Sequence, residues 1–140
     1  MGEWNVRLDH IGIAVNDLDS GSKFWRLLGL EQGDDELNEE QGVNIRFFST
    51  KQRRDSVKME LLEPTGEDTP IGRFLKKKGP GIQQIAFRVD NLDSVLSKLK
   101  GEGVRLIDET PTEGAHGSRI AFVHPSSTGG VLVELLEYID

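Results

Sequence analysis

Apolar and polar residues alternate along residues 6–15, and this period of two predicts a β-strand. The spacing then becomes helical, and either Asp17 or Asp19 can cap a helix that ends at Gly29. The apolar face of this helix is predicted to consist of Phe24, Trp25, Leu27 and Leu28. Further strands are predicted at about 30–37, 43–50 and 56–63, so the first half has the element order βαβββ.

The second half is predicted to repeat this order. A strand at about 82–89 precedes a helix from about 92 to 100, which should end near Gly101 and Gly103. The remaining strands are predicted at about 104–108, 118–124 and 131–138.

The segment between the halves has the composition of a linker. Residues 64–70 are rich in turn-forming residues, and a short predicted helix with Phe74 and Leu75 follows them. The whole chain, 1–140, is therefore predicted to be one domain, with a first module at about 5–64, a linker at about 65–81 and a second module at about 82–138.

The two halves also match residue by residue. His10–Ser20 aligns without a gap with Gln84–Ser94, at an offset of 74 residues. Met59–Glu63 and Val133–Glu137 lie at the same offset. A repeat of this kind indicates two copies of one structural unit. We therefore predict an α+β fold built from two βαβββ modules.

Strand alternation predicts which side chains share a face of each module. One polar side chain in each of four strands points away from the apolar side chains beside it. If the modules are related by pseudo-twofold symmetry, these four residues meet on one concave face: His10, Glu60, Gln84 and Glu134. Polar residues of an alternating strand usually face solvent, but the matching offsets and the flanking leucines favour a site for a divalent metal ion.

Composition narrows the chemistry further. The chain has no cysteine, so a metal must be held by nitrogen and oxygen ligands. A net charge of -7 argues against nucleic acid as the main partner, because phosphate binding needs a positive field. No apolar run approaches the roughly 18 residues of a membrane span, and no basic-then-apolar segment opens the chain, so we expect a soluble, cytoplasmic protein.

Six short motifs span almost the whole chain: Asp9–Val15, Glu40–Val43, Met59–Pro64, Gly114–Gly117, Phe122–Pro125 and Gly130–Leu135. In this order they resemble the vicinal oxygen chelate superfamily and, within it, the methylmalonyl-CoA epimerases. The resemblance implies a curved, mostly antiparallel eight-stranded sheet around one divalent ion, Co²⁺, Mn²⁺, Ni²⁺ or Zn²⁺. The ligands that it implies are His10, Glu60, Gln84 and Glu134.

The same resemblance implies an isomerase that interconverts (2R)- and (2S)-methylmalonyl-CoA, an acyl-CoA thioester. The proton next to the thioester would leave through a metal-stabilised enolate and return on the opposite face. Glu134 is the expected base and Glu60 the second proton-transfer group. Related proteins are commonly dimers, so we expect a homodimer.

Two positions depart from the epimerase pattern. Gln83-Gln84 stands where epimerases usually have His-His, so the third ligand would be an amide oxygen. Ile45 occupies the position of a second catalytic glutamate in some bacterial epimerases. Either Glu60 takes that second role or the mechanism is altered.

Two other functions stay open. The ligand set of His, Glu, Gln and Glu also suits glyoxalase I, a lyase of a sister family, although the loops near residues 40–43 and 114–125 favour the epimerase. A non-catalytic small-molecule binder of the bleomycin-resistance type shares the fold, but the intact ligand positions count against it.

The remaining candidate residues are basic or histidine side chains in loops. His116 and His124 are predicted to hold turns. Two basic clusters could bind the phosphates of coenzyme A, although such runs more often face solvent. They comprise Lys51, Arg53 and Arg54, and then Arg73, Lys76, Lys77 and Lys78.

Overall fold

The computed structural model describes residues 4–50 and 56–139. Its strands are β1 (Arg7–Ala14), β2 (Glu31–Asn38), β3 (Val43–Ser49), β4 (Lys58–Pro64), β5 (Gly81–Arg88), β6 (Thr112–Glu113), β7 (Ser118–Val123) and β8 (Val133–Tyr138). Its helices are α1 (Leu18–Leu28), α2 (Pro70–Lys78) and α3 (Leu92–Gly101), with short 3₁₀ turns at Ala115–Gly117 and Pro125–Ser127. The α+β class and the repeated βαβββ order are confirmed, and α2 is the short helix predicted after the linker.

The chain forms two compact units, one of residues 10–83 and one of residues 1–9 and 84–140. In the first unit the strands follow the order β2-β3-β4-β1, with β1 parallel to β4 and the other neighbours antiparallel. In the second unit the order β5-β8-β7-β6 repeats that arrangement, with β5 parallel to β8. That the modules make one domain stays a prediction. No helix in the described ranges is both long and apolar enough to cross a membrane.

The predicted ends of α1 are confirmed. The Asp17 carboxylate accepts a hydrogen bond from the Ser20 N–H at 2.8 Å, which satisfies one of the unpaired donors of the first turn. The same bond lowers the pKa of Asp17. Gly29 ends the helix in the left-handed region, at φ 107°, a conformation that glycine adopts without a Cβ clash.

A glutamate from a neighbouring strand holds the start of both α1 and α3. Glu63, at the end of β4, accepts a hydrogen bond from the Leu18 N–H at 3.0 Å. Glu137 on β8 accepts one from the Leu92 N–H at 2.9 Å. Both bonds place a negative charge at the positive end of a helix dipole. The repeat in the sequence is therefore also a repeat of this strand-to-helix contact.

The apolar face predicted for α1 is wrong. Phe24, Leu27 and Leu28 are 60%, 78% and 62% exposed, and the buried residues of the helix are Leu18 and Ser22. Gly21 explains the orientation, because a Cβ there would lie 2.8 Å from Cγ1 of Val15. The helix passes close to Val15 at Gly21, where a larger side chain would not fit, while Leu18 enters the core and Trp25 packs against it.

We expect Gly21→Ala to lower the free energy of unfolding by about 1 kcal/mol or more, although alanine favours a helix by about 1 kcal/mol. The reason is the contact with Val15, which the new methyl group would compress. Gly101→Ala is the matched control, since a Cβ at that helical position meets nothing within 4 Å, and it should be neutral or stabilising. Urea unfolding of both variants measures the difference, and equal stabilisation by both would contradict the close approach.

Arg46 links three elements of the first unit. Its guanidinium donates to both carboxylate oxygens of Asp35 at 2.8 Å, to Asp19 at 3.0 Å and to the buried Ser22 hydroxyl at 3.2 Å. These bonds raise the pKa of Arg46 and lower the pKa of Asp35. The Asp35 carboxylate therefore stabilises the folded chain above its ordinary pKa, and that contribution is lost only as the pH falls through the lowered value.

The strand predicted at residues 104–108 is also wrong. Leu106 forms only an isolated bridge with Val123, and the strand that flanks β7 is the short β6 further along the chain. The Asp108 carboxylate accepts a hydrogen bond from the Phe122 N–H at 2.8 Å. A side chain therefore occupies an N–H of β7 that would otherwise bond to the backbone of a neighbouring strand.

Candidate metal centre

His10 and Glu60 form a buried pair in the first unit. They lie on the neighbouring parallel strands β1 and β4. Nδ1 of His10 is 3.1 Å from Oε2 of Glu60, and the two side chains are 4% and 8% exposed. Side chains alternate along a strand, so Met59 and Leu61 point towards α1 and Glu60 points to the opposite face of β4.

Gln84 and Glu134 form a corresponding pair in the second unit. They lie on the parallel strands β5 and β8, and both are buried. The Gln84 amide nitrogen donates to Oε1 of Glu134 at 2.6 Å. The neighbouring residues Phe87 and Leu135 pack on the other face, against α3. Each predicted face is therefore correct, and each unit brings two of the four predicted residues together.

Both pairs have the chemistry that a divalent ion requires. Two ligand atoms at about 2.1 Å from one ion, at right angles, lie about 3 Å apart, which is close to the 3.1 Å between His10 and Glu60. The orientation of an amide group is assigned from its hydrogen bonds, so turning the Gln84 amide over would present its oxygen where its nitrogen now lies. The residues present therefore fit a metal ion held by nitrogen and oxygen.

Asp9 is a candidate that the sequence analysis missed. One ligand atom from each of Asp9, His10 and Glu60 lies within 4.8 Å of the other two, so this cluster could hold a metal ion. The Asp9 carboxylate is buried, and the Tyr138 hydroxyl donates to it from 3.2 Å. Alternation predicts that Asp9 faces away from His10, which is why the pattern gave no signal beyond its place in the first motif.

Ile45 is buried in β3, opposite Leu62 of β4, and brings no titratable group to the position where some bacterial epimerases have a second catalytic glutamate.

His124 caps the 3₁₀ turn at Pro125–Ser127 by accepting the Ser126 N–H at 3.0 Å, so its predicted turn-holding role is confirmed. His116 is exposed in the left-handed region, at φ 56°, within the turn at Ala115–Gly117.

Of the two clusters predicted to bind phosphate, the structure describes only the second, and its role stays a prediction. Lys51, Arg53 and Arg54 lie outside the described residues. On α2, Arg73 donates to the Asp68 carbonyl, Lys76 pairs with Glu67 at 3.4 Å and Lys78 lies over the Phe74 ring. A cavity of about 390 Å³ lies between this helix and the turn at residues 64–67, and none of the four predicted ligands lines it.

Comparison with known proteins gives one consistent result. Residues 9–122 match the Glyoxalase/Bleomycin resistance protein/Dioxygenase superfamily. The chain is 47% identical to an uncharacterized protein of Bacillus subtilis, YqjC, over 94% of this chain and 91% of that one. It is 42% identical to the mitochondrial methylmalonyl-CoA epimerase of Bos taurus, over 94% of this chain and 75% of that one. A solved methylmalonyl-CoA epimerase in complex with methylmalonyl-CoA and NH₄⁺ superposes with a TM-score of 0.89 at 40% identity, over 95% of this chain and 94% of that one.

Proposed function

This chain belongs to the methylmalonyl-CoA epimerase family of the Glyoxalase/Bleomycin resistance protein/Dioxygenase superfamily, and we propose on that basis that it interconverts (2R)- and (2S)-methylmalonyl-CoA. The family is one of isomerases. The observation that carries the proposal is the buried Gln84–Glu134 pair, at the position where the resemblance implies the reacting centre.

The reaction needs one carboxylate to take a proton from C2 and a second acid to return a proton on the opposite face. We assign Glu134 as the base and Glu60 as the second group. Burial supports this assignment, because a carboxylate shielded from water is not surrounded by competing proton donors. Glu63 and Glu137 are excluded from the role, since each already accepts the first N–H of a helix.

We propose that His10, Glu60, Gln84 and Glu134 together hold one divalent ion. Two observations support this proposal: the contacts within each pair, and the equal offset of 74 residues between the pairs. A bound ion supplies a Lewis acid that stabilises the negative charge on the thioester oxygen as the C2 proton leaves. The chain's own side chains orient the substrate, move the proton and exclude water.

We also propose that two chains form a homodimer. Light scattering of the protein in solution measures its molar mass and so tests this proposal.

Deuterium exchange tests the activity directly. The chain is loaded in turn with Co²⁺, Mn²⁺, Ni²⁺ and Zn²⁺ and incubated with (2S)-methylmalonyl-CoA in D₂O. We expect deuterium to appear at C2 and the (2R) isomer to accumulate, both well above the rate with the metal alone. If none of the four ions gives exchange above that control, the epimerase proposal fails.

Glyoxalase I is the second candidate, because the residue paired with Glu134 is Gln84 rather than histidine. The same metal-loaded samples are given methylglyoxal with glutathione, and formation of the lactoyl thioester is followed by absorbance. Turnover of that substrate without exchange at C2 of methylmalonyl-CoA would favour the lyase. Tight ligand binding without turnover of either substrate would favour a binder of the bleomycin-resistance type.

A further inference from the structure

Helix α1 turns its most hydrophobic stripe towards solvent. Phe24, Leu27 and Leu28 are spaced by three and four residues, so they lie together on one side of the helix. All three side chains are exposed, whereas the buried residues of the helix are Leu18 and Ser22. A single exposed leucine is ordinary, but a contiguous apolar stripe that includes an aromatic ring is typical of a contact surface.

The second unit contains the equivalent helix without this stripe. α1 begins at Leu18 and α3 at Leu92, which is 74 residues later, so the positions of the two helices correspond one to one. Lys98 and Glu102 stand where α1 has Phe24 and Leu28. They are exposed and form an ion pair at 3.7 Å. Such a pair is what a helix carries on a side that faces water.

The inner sides of the two helices differ in the opposite sense. α3 buries Val95 and Leu96 at the positions where α1 has Gly21 and Ser22. The second unit therefore places large apolar residues beneath its helix, whereas the first places three of them on the outer side. Apolar surface in water is unfavourable, and burial against another molecule would remove that cost. The stripe is thus a feature that the βαβββ module itself does not require.

The surface around the stripe is complementary to itself. A two-fold axis through the middle of the stripe makes two copies of α1 antiparallel and places Phe24 of one copy beside Leu28 of the other. The same axis brings Lys23 of one copy close to Glu31 of the other, and both residues are exposed. Each opposite-charge pair then occurs twice, as symmetry requires. Apolar residues at the centre with charged residues at the rim are the usual arrangement of a protein interface.

A lipid surface fits the stripe less well. Strand β2 follows α1 directly, and its sequence, EQGDDELN, is acidic. Anionic headgroups would repel this strand, whereas helices that lie on membranes have a polar face rich in lysine and arginine.

We propose that α1 forms the dimer interface of this protein, with Phe24, Leu27 and Leu28 packed against the same residues of a second copy about a two-fold axis. This inference rests on the homodimer proposed above and names the surface that forms it. Glu60 points to the face of β4 opposite α1, so the interface adds no side chain beside that glutamate.

The test gives α1 the charged pair that α3 carries. Phe24→Lys combined with Leu28→Glu should leave the helix and the urea unfolding midpoint unchanged, since the same pair is tolerated on α3. Sedimentation velocity of the full chain should show a dimer for the wild type and a monomer for this double variant. Its dimer dissociation constant should rise at least about a hundredfold, because each copy loses two apolar contacts. Lys98→Ala combined with Glu102→Ala is the matched control on α3 and should leave the dimer intact.

A charge exchange tests the two-fold arrangement. Lys23→Glu should weaken the dimer several-fold, because it places like charges beside each other at both ends of the interface. Adding Glu31→Lys to the same chain should restore the wild-type dissociation constant. A dimer that stays weakened after the second substitution would overturn the antiparallel packing of α1.

Molar mass is measured without substrate, so the interface and the epimerase can fail independently. A wild-type monomer, or a double variant that remains a dimer, overturns the interface whatever the rate of deuterium exchange at C2. A wild-type dimer that the double variant dissociates supports the interface even where no exchange occurs, and the missing exchange then refutes only the epimerase. If the wild type is active, the monomeric variant should keep exchange within a few fold.

Discussion

Replacing Glu134 with glutamine is expected to slow deuterium incorporation at C2 of methylmalonyl-CoA by about 10²- to 10⁴-fold, the usual contribution of a positioned acid or base. The amide cannot accept the C2 proton, although it keeps the shape of the side chain beside Gln84. The measurement is the initial rate of exchange at saturating substrate.

Glu137→Gln is the control for this variant, because it makes the same change three residues along β8. Glu137 accepts the Leu92 N–H at the start of α3, so its loss should lower stability slightly and leave exchange within a few fold of the wild type. The bound metal is quantified in both variants, which separates loss of the base from loss of the ion. Full exchange by Glu134→Gln with its metal retained would refute the assignment of the base.

Removing the metal is expected to reduce exchange by about 10³-fold or more, since several kcal/mol of charge stabilisation is lost and each 1.36 kcal/mol is a factor of ten in rate. The protein is dialysed against a chelator and then against buffer without it. Adding back one of Co²⁺, Mn²⁺, Ni²⁺ or Zn²⁺ should restore the rate, with one ion bound per chain.

Two histidine variants distinguish specific metal binding at His10 from adventitious metal binding elsewhere on the protein. His10→Ala removes a buried group in contact with Glu60 and should weaken metal binding at least tenfold. His124→Ala removes a histidine that caps a turn and should leave metal binding unchanged. Equal losses in the two variants would argue against a centre at His10, as would undiminished activity of the chelator-treated protein.

Most of the fold could be predicted from the sequence because both halves of the repeat have the same order of elements, so the pattern of each half supports the prediction for the other. An isolated Glu60 in an apolar strand has many explanations. A second glutamate, Glu134, lies 74 positions later, and His10 and Gln84 are separated by the same distance, so few explanations fit all four residues. Alternation then assigned the faces correctly, since a strand has only two sides and the apolar neighbours determine which is buried.

The orientation of α1 could not be predicted in this way. Phe24, Leu27 and Leu28 form the more hydrophobic stripe, but the helix buries Leu18 and Ser22 instead and comes so close to Val15 that glycine is needed at position 21. Hydrophobicity along the chain does not report that distance. The other miss, the strand expected at 104–108, has a similar cause, because a single side chain, Asp108, competes with the backbone for a donor.

The two glutamates of β4 differ in what they would reveal about distant relatives. Glu60 lies beside a histidine, whereas Glu63, three residues along, holds the start of a helix. A descendant that lost its catalytic activity would be under no pressure to keep the first, but the second would still stabilise its fold. Among homologues identified by this strand, position 60 should therefore distinguish enzymes from non-enzymes, and position 63 should be retained by both.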